Sequence, residues 1–268
     1  MISIDNLNVR DPFVYAENGR YYLYASGEGC KSFVCYKSDD LREFCEPVTV
    51  FKAGDGFWAT KDFWAPEMHA YNGRYYLFGS LNSDEHCRAT QIFVCDTPCG
   101  EFKPLTDKPI TPENWVCLDG TLYVENGVPY LIFCREWLEV TDGEMYIMPL
   151  APDLKSAAGE PVKLFSASSA PWTRPLKGES YVTDGPFIVK KSDGYKMLWS
   201  SFSESGYAMG VCESPSLFGP WKHCDKQINT DNGGHGMVLS DGERSAIVYH
   251  APNDPPGKER VSFMPAEL

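Results

Sequence analysis

The chain repeats one strand-turn-strand pattern five times along its length. The copies read DPFVYAENGRYYLYAS at 11–26, APEMHAYNGRYYLFGS at 65–80, DGTLYVENGVPYLIFC at 119–134, DGPFIVKKSDGYKMLWS at 184–200 and GHGMVLSDGERSAIVYH at 234–250. In each copy a turn dipeptide separates two apolar runs, and Asn-Gly or Asp-Gly in that setting favours a two-residue turn because both positions need positive φ. The sequence therefore predicts five β-hairpins in succession.

The spacing of these turns indicates the size of the repeating unit. The predicted turns are Asn18-Gly19, Asn72-Gly73, Asn126-Gly127, Asp193-Gly194 and Asp241-Gly242, with glycines 54, 54, 67 and 48 residues apart. Between the hairpins lies a looser strand motif, at 33–44, 92–102, 145–154 and 208–221. A unit of this length is typical of a four-stranded propeller blade. We predict an all-β, five-bladed β-propeller with four antiparallel strands per blade and a single domain over 1–268; a β-sandwich is the alternative.

Composition narrows the classes of function. The chain is aromatic, with 15 Tyr, 15 Phe and 7 Trp, which favours strands. Its formal net charge is −13, so nucleic acid and anionic membrane surfaces are poor partners and a neutral ligand is expected. The sequence as given has neither a leader pattern nor an apolar run long enough to span a membrane, which predicts a cytoplasmic protein. The oligomeric state stays open.

Acidic residues open several of the repeats. In a propeller the innermost strands start at one mouth of the central channel. The residues that start the five copies are Asp11, the Ala65–Glu67 segment, Asp119, Asp184 and the Gly234-His235 pair. Aspartates gathered on one axis would repel one another unless a function or a cation held them there. The pattern predicts a functional site, although Asp before Gly or Pro is also an ordinary turn former.

These motifs resemble glycoside hydrolase family 43 over nearly the whole chain, from Asp11-Pro12 to the YHAPN run at 249–253. The resemblance implies a five-bladed propeller of inverting enzymes that act on arabinose-, xylose- or galactose-containing glycans. It implies that Asp11 in RDPF is the general base. It also implies that Asp119 in LDGTLYVENG orients the general acid and tunes its pKa.

The fourth repeat departs from the family pattern. The family's general acid is a Glu in an E-G-P motif, whereas this chain has Asp184 in VTDGPF. An aspartate is one methylene shorter, which withdraws its carboxyl by about 1.5 Å. Asp184 is our first candidate for the acid, with Glu179 and Glu136 in reserve. In an inverting site the acid protonates the leaving oxygen while the base activates water, and the two carboxyls stand roughly 6.5–9.5 Å apart.

Further side chains are predicted to bind a carbohydrate substrate. Trp64 beside the mouth offers an aromatic face for a sugar ring. Glu67, Arg135, Glu136 and His235 are candidates for polar contacts, and for Arg135 a salt bridge with a nearby acid is an equal alternative. The resemblance places His235 on the axis near a hydrated cation such as calcium, reached directly or through water, so any metal should be structural and no cofactor is required.

Two other functions remain open from the sequence. The replacement of Glu by Asp184 also suits a propeller that binds carbohydrate without catalysis. A related glycoside phosphorylase would need two or more cationic side chains at the mouth to hold phosphate. Beyond Arg135 and Arg10 the sequence offers few of them.

Overall fold

The chain forms a ring of five antiparallel sheets in a computed structural model that describes residues 1–242 and 245–268. Glu243 and Arg244, which belong to the fifth hairpin repeat, lie outside the described residues. The predicted fold class, an all-β five-bladed propeller, is confirmed. We number the strands β1 to β21 in chain order.

Blade one is a six-stranded sheet built around the first predicted hairpin. Short 3-10 turns occupy Ile4–Asn6 and Glu28–Cys30. The first strand pairs with the fifth at the outer edge of the sheet, so the start of the chain is fixed to this blade. The strands of the blade are β1 (Ile2–Ser3), β2 (Phe13–Glu17), β3 (Arg20–Ser26), β4 (Ser32–Ser38), β5 (Glu43–Phe44) and β6 (Val48–Lys52).

Blades two, three and four are four-stranded sheets, as expected. Blade two has β7 (Lys61–Tyr71), β8 (Arg74–Asn82), β9 (Ala89–Cys95) and β10 (Lys103–Pro104). Blade three has β11 (Cys117–Glu125), β12 (Val128–Arg135), the one-turn helix α1 (Trp137–Val140), β13 (Glu144–Pro149), β14 (Val162–Ser166) and a 3-10 turn at Ala167–Ser169. Blade four has β15 (Asp184–Lys191), β16 (Gly194–Ser203), β17 (Gly206–Ser214) and β18 (Lys222–His223).

Blade five has three strands in the described part of the chain. They are β19 (Gly234–Ser240), β20 (Ser245–Ala251) and β21 (Arg260–Pro265). Across the residues that the structure describes, no helix has the length and apolar character needed to cross a membrane.

Three of the five predicted turns have the expected geometry. Asn18, Asn72 and Asn126 have φ of 52°, 48° and 52°, and each is followed by a glycine with positive φ. The fourth turn lies one residue earlier than predicted, because Lys191 pairs with Gly194 and leaves Ser192 and Asp193 as the turn residues. The fifth connection is longer than a two-residue turn, since Ser240 pairs with Ser245.

The innermost strands close the ring. β2, β7, β11, β15 and β19 contact one another in that order, and β19 returns to β2. Polar contacts join the two ends of the chain, since Asn8 Nδ2 donates to the Glu259 carbonyl at 3.1 Å and Arg260 Nε donates to the Asp5 carbonyl at 3.1 Å. The first residues of all five inner strands are thereby held around a single axis.

Aromatic and aliphatic side chains fill the space between neighbouring blades. Between blades one and two, Phe51 and Phe93 are in contact with ring centroids 4.2 Å apart, and Phe33 packs against both. On blade four, Trp199 is fully buried against Trp172. Burial of this apolar surface is the main stabilising contribution to a fold with so little helix.

Candidate active site

Each innermost strand is irregular where it begins. The pairing registers of β7, β11, β15 and β19 skip two residues near their starts, at Ala65-Pro66, Asp119-Gly120, Gly185-Pro186 and His235-Gly236. The first of each skipped pair has positive φ, between 45° and 54°, and Asp11 before β2 has φ of 50°. Such a bulge turns a side chain away from the sheet, here toward the axis.

The bulges correct the alignment of the fourth and fifth repeats. Gly185, and not Asp184, is equivalent to Asp11 and Asp119, because Asp184 still pairs with Ser200 just before the bulge. His235 holds the equivalent place in blade five. The two repeats therefore begin one residue earlier than the other three, and Asp184 reaches the axis from a different backbone position.

Asp11 lies in a positively charged environment at the start of blade one. Its Oδ1 is 3.4 Å from His235 Nδ1 and 3.2 Å from His250 Nδ1, and its Oδ2 is 3.8 Å from Arg10 Nε. Burial alone would raise the pKa of Asp11, but the charge of His235, the contact with His250 and the charge of Arg10 lower it well below the ordinary value. Asp11 is therefore ionised throughout the physiological pH range.

Asp119 occupies the equivalent position of blade three, but of the three basic groups beside Asp11 only His235 contacts it, at 3.6 Å. Its backbone N–H donates to Ser80 Oγ at 2.8 Å, and the Gly185 N–H donates to its Oδ2 at 2.9 Å. The side chain is buried, with 6 % of the residue exposed. Burial raises the pKa of Asp119 to about 8; the charge of His235 opposes this increase, and the charges of Asp184 and Asp11 add to it. Asp119 can therefore hold a proton near neutral pH.

Asp184 is half-buried beside these two carboxyls. The Tyr207 hydroxyl donates to its Oδ2 at 2.9 Å. Burial raises the pKa of Asp184, the charge of His235 and the hydrogen bond from Tyr207 lower it, and the net direction is upward. Its pKa therefore moves in the direction that a proton donor requires.

His235 lies between the first-blade and third-blade carboxyls. Its Nδ1 is 3.4 Å from Asp11 Oδ1 and 3.6 Å from Asp119 Oδ2. Burial lowers the pKa of His235, but Asp11, Asp119 and the other nearby carboxyls raise it, and the net pKa is above its ordinary value. A Cβ on Gly185 would approach the His235 ring to 3.0 Å, so the imidazole packs directly on the blade-four backbone.

His250 is a site residue that the analysis of single residues did not assign. It is fully buried on β20, and its Nδ1 is 3.2 Å from the Asp11 backbone nitrogen as well as from Asp11 Oδ1. Asn253 lies 3.4 Å from the other ring nitrogen and accepts a 2.6 Å hydrogen bond from Arg10. The signal was the YHAPN run at 249–253, which contributed to the family resemblance without a role for its histidine.

Glu67 follows the blade-two bulge and lies beside the same ring. It is buried, its charge helps to raise the pKa of His235, and its Oε2 is 3.3 Å from His69 Nε2. His69 also lies 3.3 Å from Thr121 Oγ1. The predicted carboxylate therefore forms part of the floor under the mouth.

Trp64 and Glu136 are joined by a buried arginine that sequence analysis missed. Arg88 forms ion pairs with Glu136 and with Asp62, the latter at 3.0 Å, and its guanidinium lies 4.2 Å from the centroid of the Trp64 ring. Burial raises the pKa of Glu136, and the Arg88 charge lowers it in part. The charge of Asp184 also acts on Glu136, so this cluster borders the acidic ring. No local motif marks Arg88 as a partner of residues so distant in sequence.

Arg135 and Glu179 are not brought to this ring. Arg135 pairs with Glu139, and its guanidinium lies 4.1 Å from the centroid of the Trp115 ring. This is the salt-bridge alternative for Arg135. Glu179 is exposed in the loop before β15.

Direct metal binding does not fit the residues present. Within residues 1–242 and 245–268, no group of three or more His, Cys, Asp or Glu side chains is arranged to hold an ion. His235 Nδ1 faces two carboxylates, which an imidazolium satisfies without a metal. We therefore derive no chemical step from a metal.

The mouth combines carboxyls of opposite protonation state. Asp11 is held ionised, whereas the pKa values of Asp119 and Asp184 are raised. One carboxylate that accepts a proton and one carboxyl that donates a proton are the two groups needed for general acid-base cleavage of an acetal.

The comparisons with known proteins agree with this geometry. The model of "Glycosyl hydrolases family 43" matches residues 3–263. The chain belongs to this family. The resemblance found in the sequence is thereby confirmed.

A solved structure and two curated proteins show the range of similarity. The crystal structure of an endo-arabinase from Bacteroides thetaiotaomicron is 42 % identical, with a TM-score of 0.95, and the match covers 100 % of this chain and 97 % of that chain. Alpha-L-arabinofuranosidase 43 of Humicola insolens is 26 % identical over 90 % of this chain and 54 % of its own length. Arabinan endo-1,5-alpha-L-arabinosidase A of Aspergillus aculeatus is 26 % identical over 91 % of this chain and 79 % of its own.

The family 43 chain spans about half the length of the Humicola relative. The names of some other relatives describe extracellular proteins. These names give no support to a cytoplasmic location, which stays a prediction.

Proposed function

We propose that this chain is an inverting glycoside hydrolase that cleaves arabinose-containing glycans. The single observation that carries the proposal is the gathering around one axis of an ionised Asp11 and two neighbouring carboxyls, Asp119 and Asp184, whose pKa values are raised. Membership of family 43 and the similarity to an endo-arabinase support the substrate class. The wider range of xylose and galactose glycans has less support, because the 42 % identical structure is named an endo-arabinase and the Aspergillus relative is named an arabinan arabinosidase.

Each carboxyl has a distinct role in the proposed reaction. Asp11 takes a proton from a water molecule, whose oxygen then bonds to the anomeric carbon. The glycosidic carbon–oxygen bond breaks, and the leaving oxygen takes the proton of Asp184. Asp119 orients the acid through the Gly185 N–H. Because Asp119 and Asp184 are neighbours, ionisation of both at once is unfavourable, so the pair retains one proton to a higher pH than either carboxyl would alone.

The contacts of the reserve acids favour Asp184 as the donor. The pKa of Glu136 is also raised, but its carboxylate is tied to Arg88 by an ion pair. Glu179 is exposed in the loop before β15. Asp184 combines a raised pKa with a place beside Asp11 and Asp119.

The phosphorylase alternative has little support from the mouth. Arg135 is paired with Glu139, and Arg10 is bound to Asn253 and Glu259. Both guanidinium groups already pair with a carboxylate, which would compete with a phosphate for them. A propeller that only binds carbohydrate remains the second candidate, because Asp184 is shorter than the family's glutamate.

The proposed substrate contacts follow the same cluster. Arg88 covers one face of Trp64, so a sugar ring would stack on the other face. Glu67, Glu136 and His235 line or border the ring and would bind hydroxyl groups.

We keep a structural cation, bound near His235 through water, as a proposal. Added calcium should raise the Tm, whereas a chelator that abolishes activity without changing the Tm would contradict the proposal.

The product anomer tests the proposed reaction. Linear arabinan and arabino-oligosaccharides are incubated with the protein, and the configuration of the newly formed reducing end is followed by NMR before mutarotation. Inversion is expected. Retention would exclude Asp11 as a base, and binding of oligosaccharide without any new reducing ends would favour the non-catalytic propeller.

A further inference from the structure

Tyr207 is a buried tyrosine on β17 whose hydroxyl points into the acidic ring. It is 2 % exposed, and its hydroxyl donates to Asp184 Oδ2 at 2.9 Å. Burial and then the charge of Asp184 raise the pKa of Tyr207 well above its ordinary value. The hydroxyl therefore keeps its proton and acts toward Asp184 as a donor.

The ring of Tyr207 is held on several sides. It stacks on His250 with centroids 5.7 Å apart and planes 19° apart, and it lies 5.3 Å from the Phe202 ring. A Cβ on Gly234 would come within 2.4 Å of the ring, so backbone covers another side. Its own N–H donates to Asn232 Oδ1 at 2.9 Å. A donor fixed in this way has little freedom to follow a moving carboxyl.

This rigid donor has a specific consequence at an aspartate. Asp184 has one methylene fewer than the family's glutamate, so it has fewer rotatable bonds and a shorter reach. The Tyr207 bond fixes the orientation of the carboxyl by one oxygen, Oδ2, and leaves Oδ1 free of that bond to carry the transferable proton. His250, on which the tyrosine stacks, also contacts Asp11, so both reacting carboxyls are oriented from one packed pair.

We propose that Tyr207 is a positioning residue for the general acid, which orients the Asp184 carboxyl by donating to Oδ2 and thereby sets the pH range in which Asp184 can give up its proton. The proposal rests on the proposed function. It adds a residue outside the three carboxyls and explains how an aspartate can serve where the family has a glutamate.

Other charged groups also face Asp184, and the test must separate them from Tyr207. The groups that interact electrostatically with Asp184 are Arg10, Asp11, Asp119, Glu136 and His235, and the Cys134 thiol also faces it. None of these is altered when only the Tyr207 hydroxyl is removed. A change in the pH profile of such a variant therefore reports the Tyr207 hydrogen bond.

The experiment compares Tyr207→Phe with the wild-type protein on two substrates. A hydrogen bond to the ionised form lowers a carboxyl pKa, so its loss should move the alkaline limb of kcat upward by about one pH unit. On arabino-oligosaccharides kcat should fall by about tenfold because the acid is less well oriented, with KM within about twofold. On a nitrophenyl arabinofuranoside, whose leaving group needs little protonation, kcat of the variant should fall much less.

Tyr146→Phe is the matched control. Tyr146 lies on the corresponding third strand of blade three, is buried to a similar extent, and donates to the Glu144 carboxylate at 2.9 Å. Removal of the Tyr146 hydroxyl should leave the alkaline limb of kcat unchanged. The ratio of kcat on the oligosaccharide to kcat on the nitrophenyl substrate should also stay the same.

Two outcomes of Tyr207→Phe overturn the proposal: an alkaline limb that stays in place or moves downward, or an equal loss on both substrates. If the variant does not fold, site-specific replacement of Tyr207 by a fluorinated tyrosine keeps the ring and strengthens the donor, and the limb must then move downward. A wild-type protein inactive on every arabinoside would refute the proposed function instead, so the two failures are distinguishable.

Discussion

The starts of blade one and blade three differ although the fold makes them equivalent. Asp11 and Asp119 both precede a strand at a residue with positive φ, and both point to the axis. The pKa of Asp11 is lowered, whereas that of Asp119 is raised to about 8. A repeated backbone therefore supplies two carboxyls with opposite protonation.

The difference between the two pKa values comes from the side chains that surround each carboxyl. Both carboxyls contact His235, but Asp11 also lies against His250 and Arg10, whereas Asp119 has a serine hydroxyl and a backbone N–H. Burial raises the pKa of both groups, and the additional basic neighbours overcome it only for Asp11. The roles of base and modulator thus follow from tertiary contacts, not from the repeat itself.

The largest expected effect is the loss of the ionised carboxylate. Asp11→Asn should reduce kcat by about 10³-fold or more on every arabinoside, because no other ionised group replaces the base. Asp184→Asn should abolish turnover of oligosaccharides but retain more of the rate on a nitrophenyl substrate. Initial rates on both substrates, with circular dichroism to confirm the fold, are the measurements. Unchanged hydrolysis would remove the substituted residue from the mechanism.

Neutralising the third-blade carboxyl should have a smaller effect and a defined sign. Asp119→Asn removes one of two coupled carboxyls, so the last proton of the pair is no longer held against a second negative charge, and the alkaline limb of kcat should move to lower pH. We expect kcat at neutral pH to fall by about 10²-fold. The pH profile is decisive: an upward movement would mean that Asp119 does not act on the acid by repulsion.

Removal of the His235 imidazole, which lies between Asp11 and Asp119, should make the pKa values of these two carboxyls more alike. His235→Asn keeps a residue that tolerates positive φ but deletes the charge that lowers the pKa of Asp11. The acid limb of kcat/KM should move upward by about one pH unit. If the limb does not move, the neighbouring His250 and Arg10 are sufficient to keep Asp11 ionised.

The smallest expected effect is on stability. The raised pKa of Asp119 means that the folded state binds its proton more tightly than the unfolded state, so this stability is complete below about pH 4 and is lost as pH rises through about 8. In Asp119→Asn the decrease in Tm between about pH 5 and about pH 9 should be about 8 °C smaller than in the wild type, since about 4 kcal/mol of linkage is removed. Calorimetry at the two pH values measures it, and parallel curves would contradict the raised pKa.

Local sequence was sufficient for the fold because turns and strands have local signals. Asn18-Gly19 and its two closest copies form the turns that their dipeptides predict. The predicted position of the fourth turn was wrong by one residue, since Ser192 and Asp193 make the turn and Gly194 already pairs in the strand. A glycine marks the neighbourhood of a turn but not its register when the flanking strands can shift.

The site was predictable only where the repeat itself carries the residue. Asp11, Asp119 and Asp184 stand at the starts of repeats, whereas Arg88 and Tyr207 lie on other strands and meet the mouth through tertiary packing. The bulge shift at Gly185 was also missed, although Pro12, Pro66 and Pro186 share one alignment that would have revealed it. Contacts between residues far apart in sequence have no signature in a single chain.

The closure of the ring makes the site depend on the order in which the chain is synthesised. Asp11 leaves the ribosome more than 200 residues before His235, His250 and the partners of Arg10, which are Asn253 and Glu259. A nascent chain that stops before blade five would carry the attacking carboxylate without these contacts. Hydrolytic competence therefore requires the synthesis of blade five, and truncations before Gly234 should fail at catalysis even where the earlier blades have assembled.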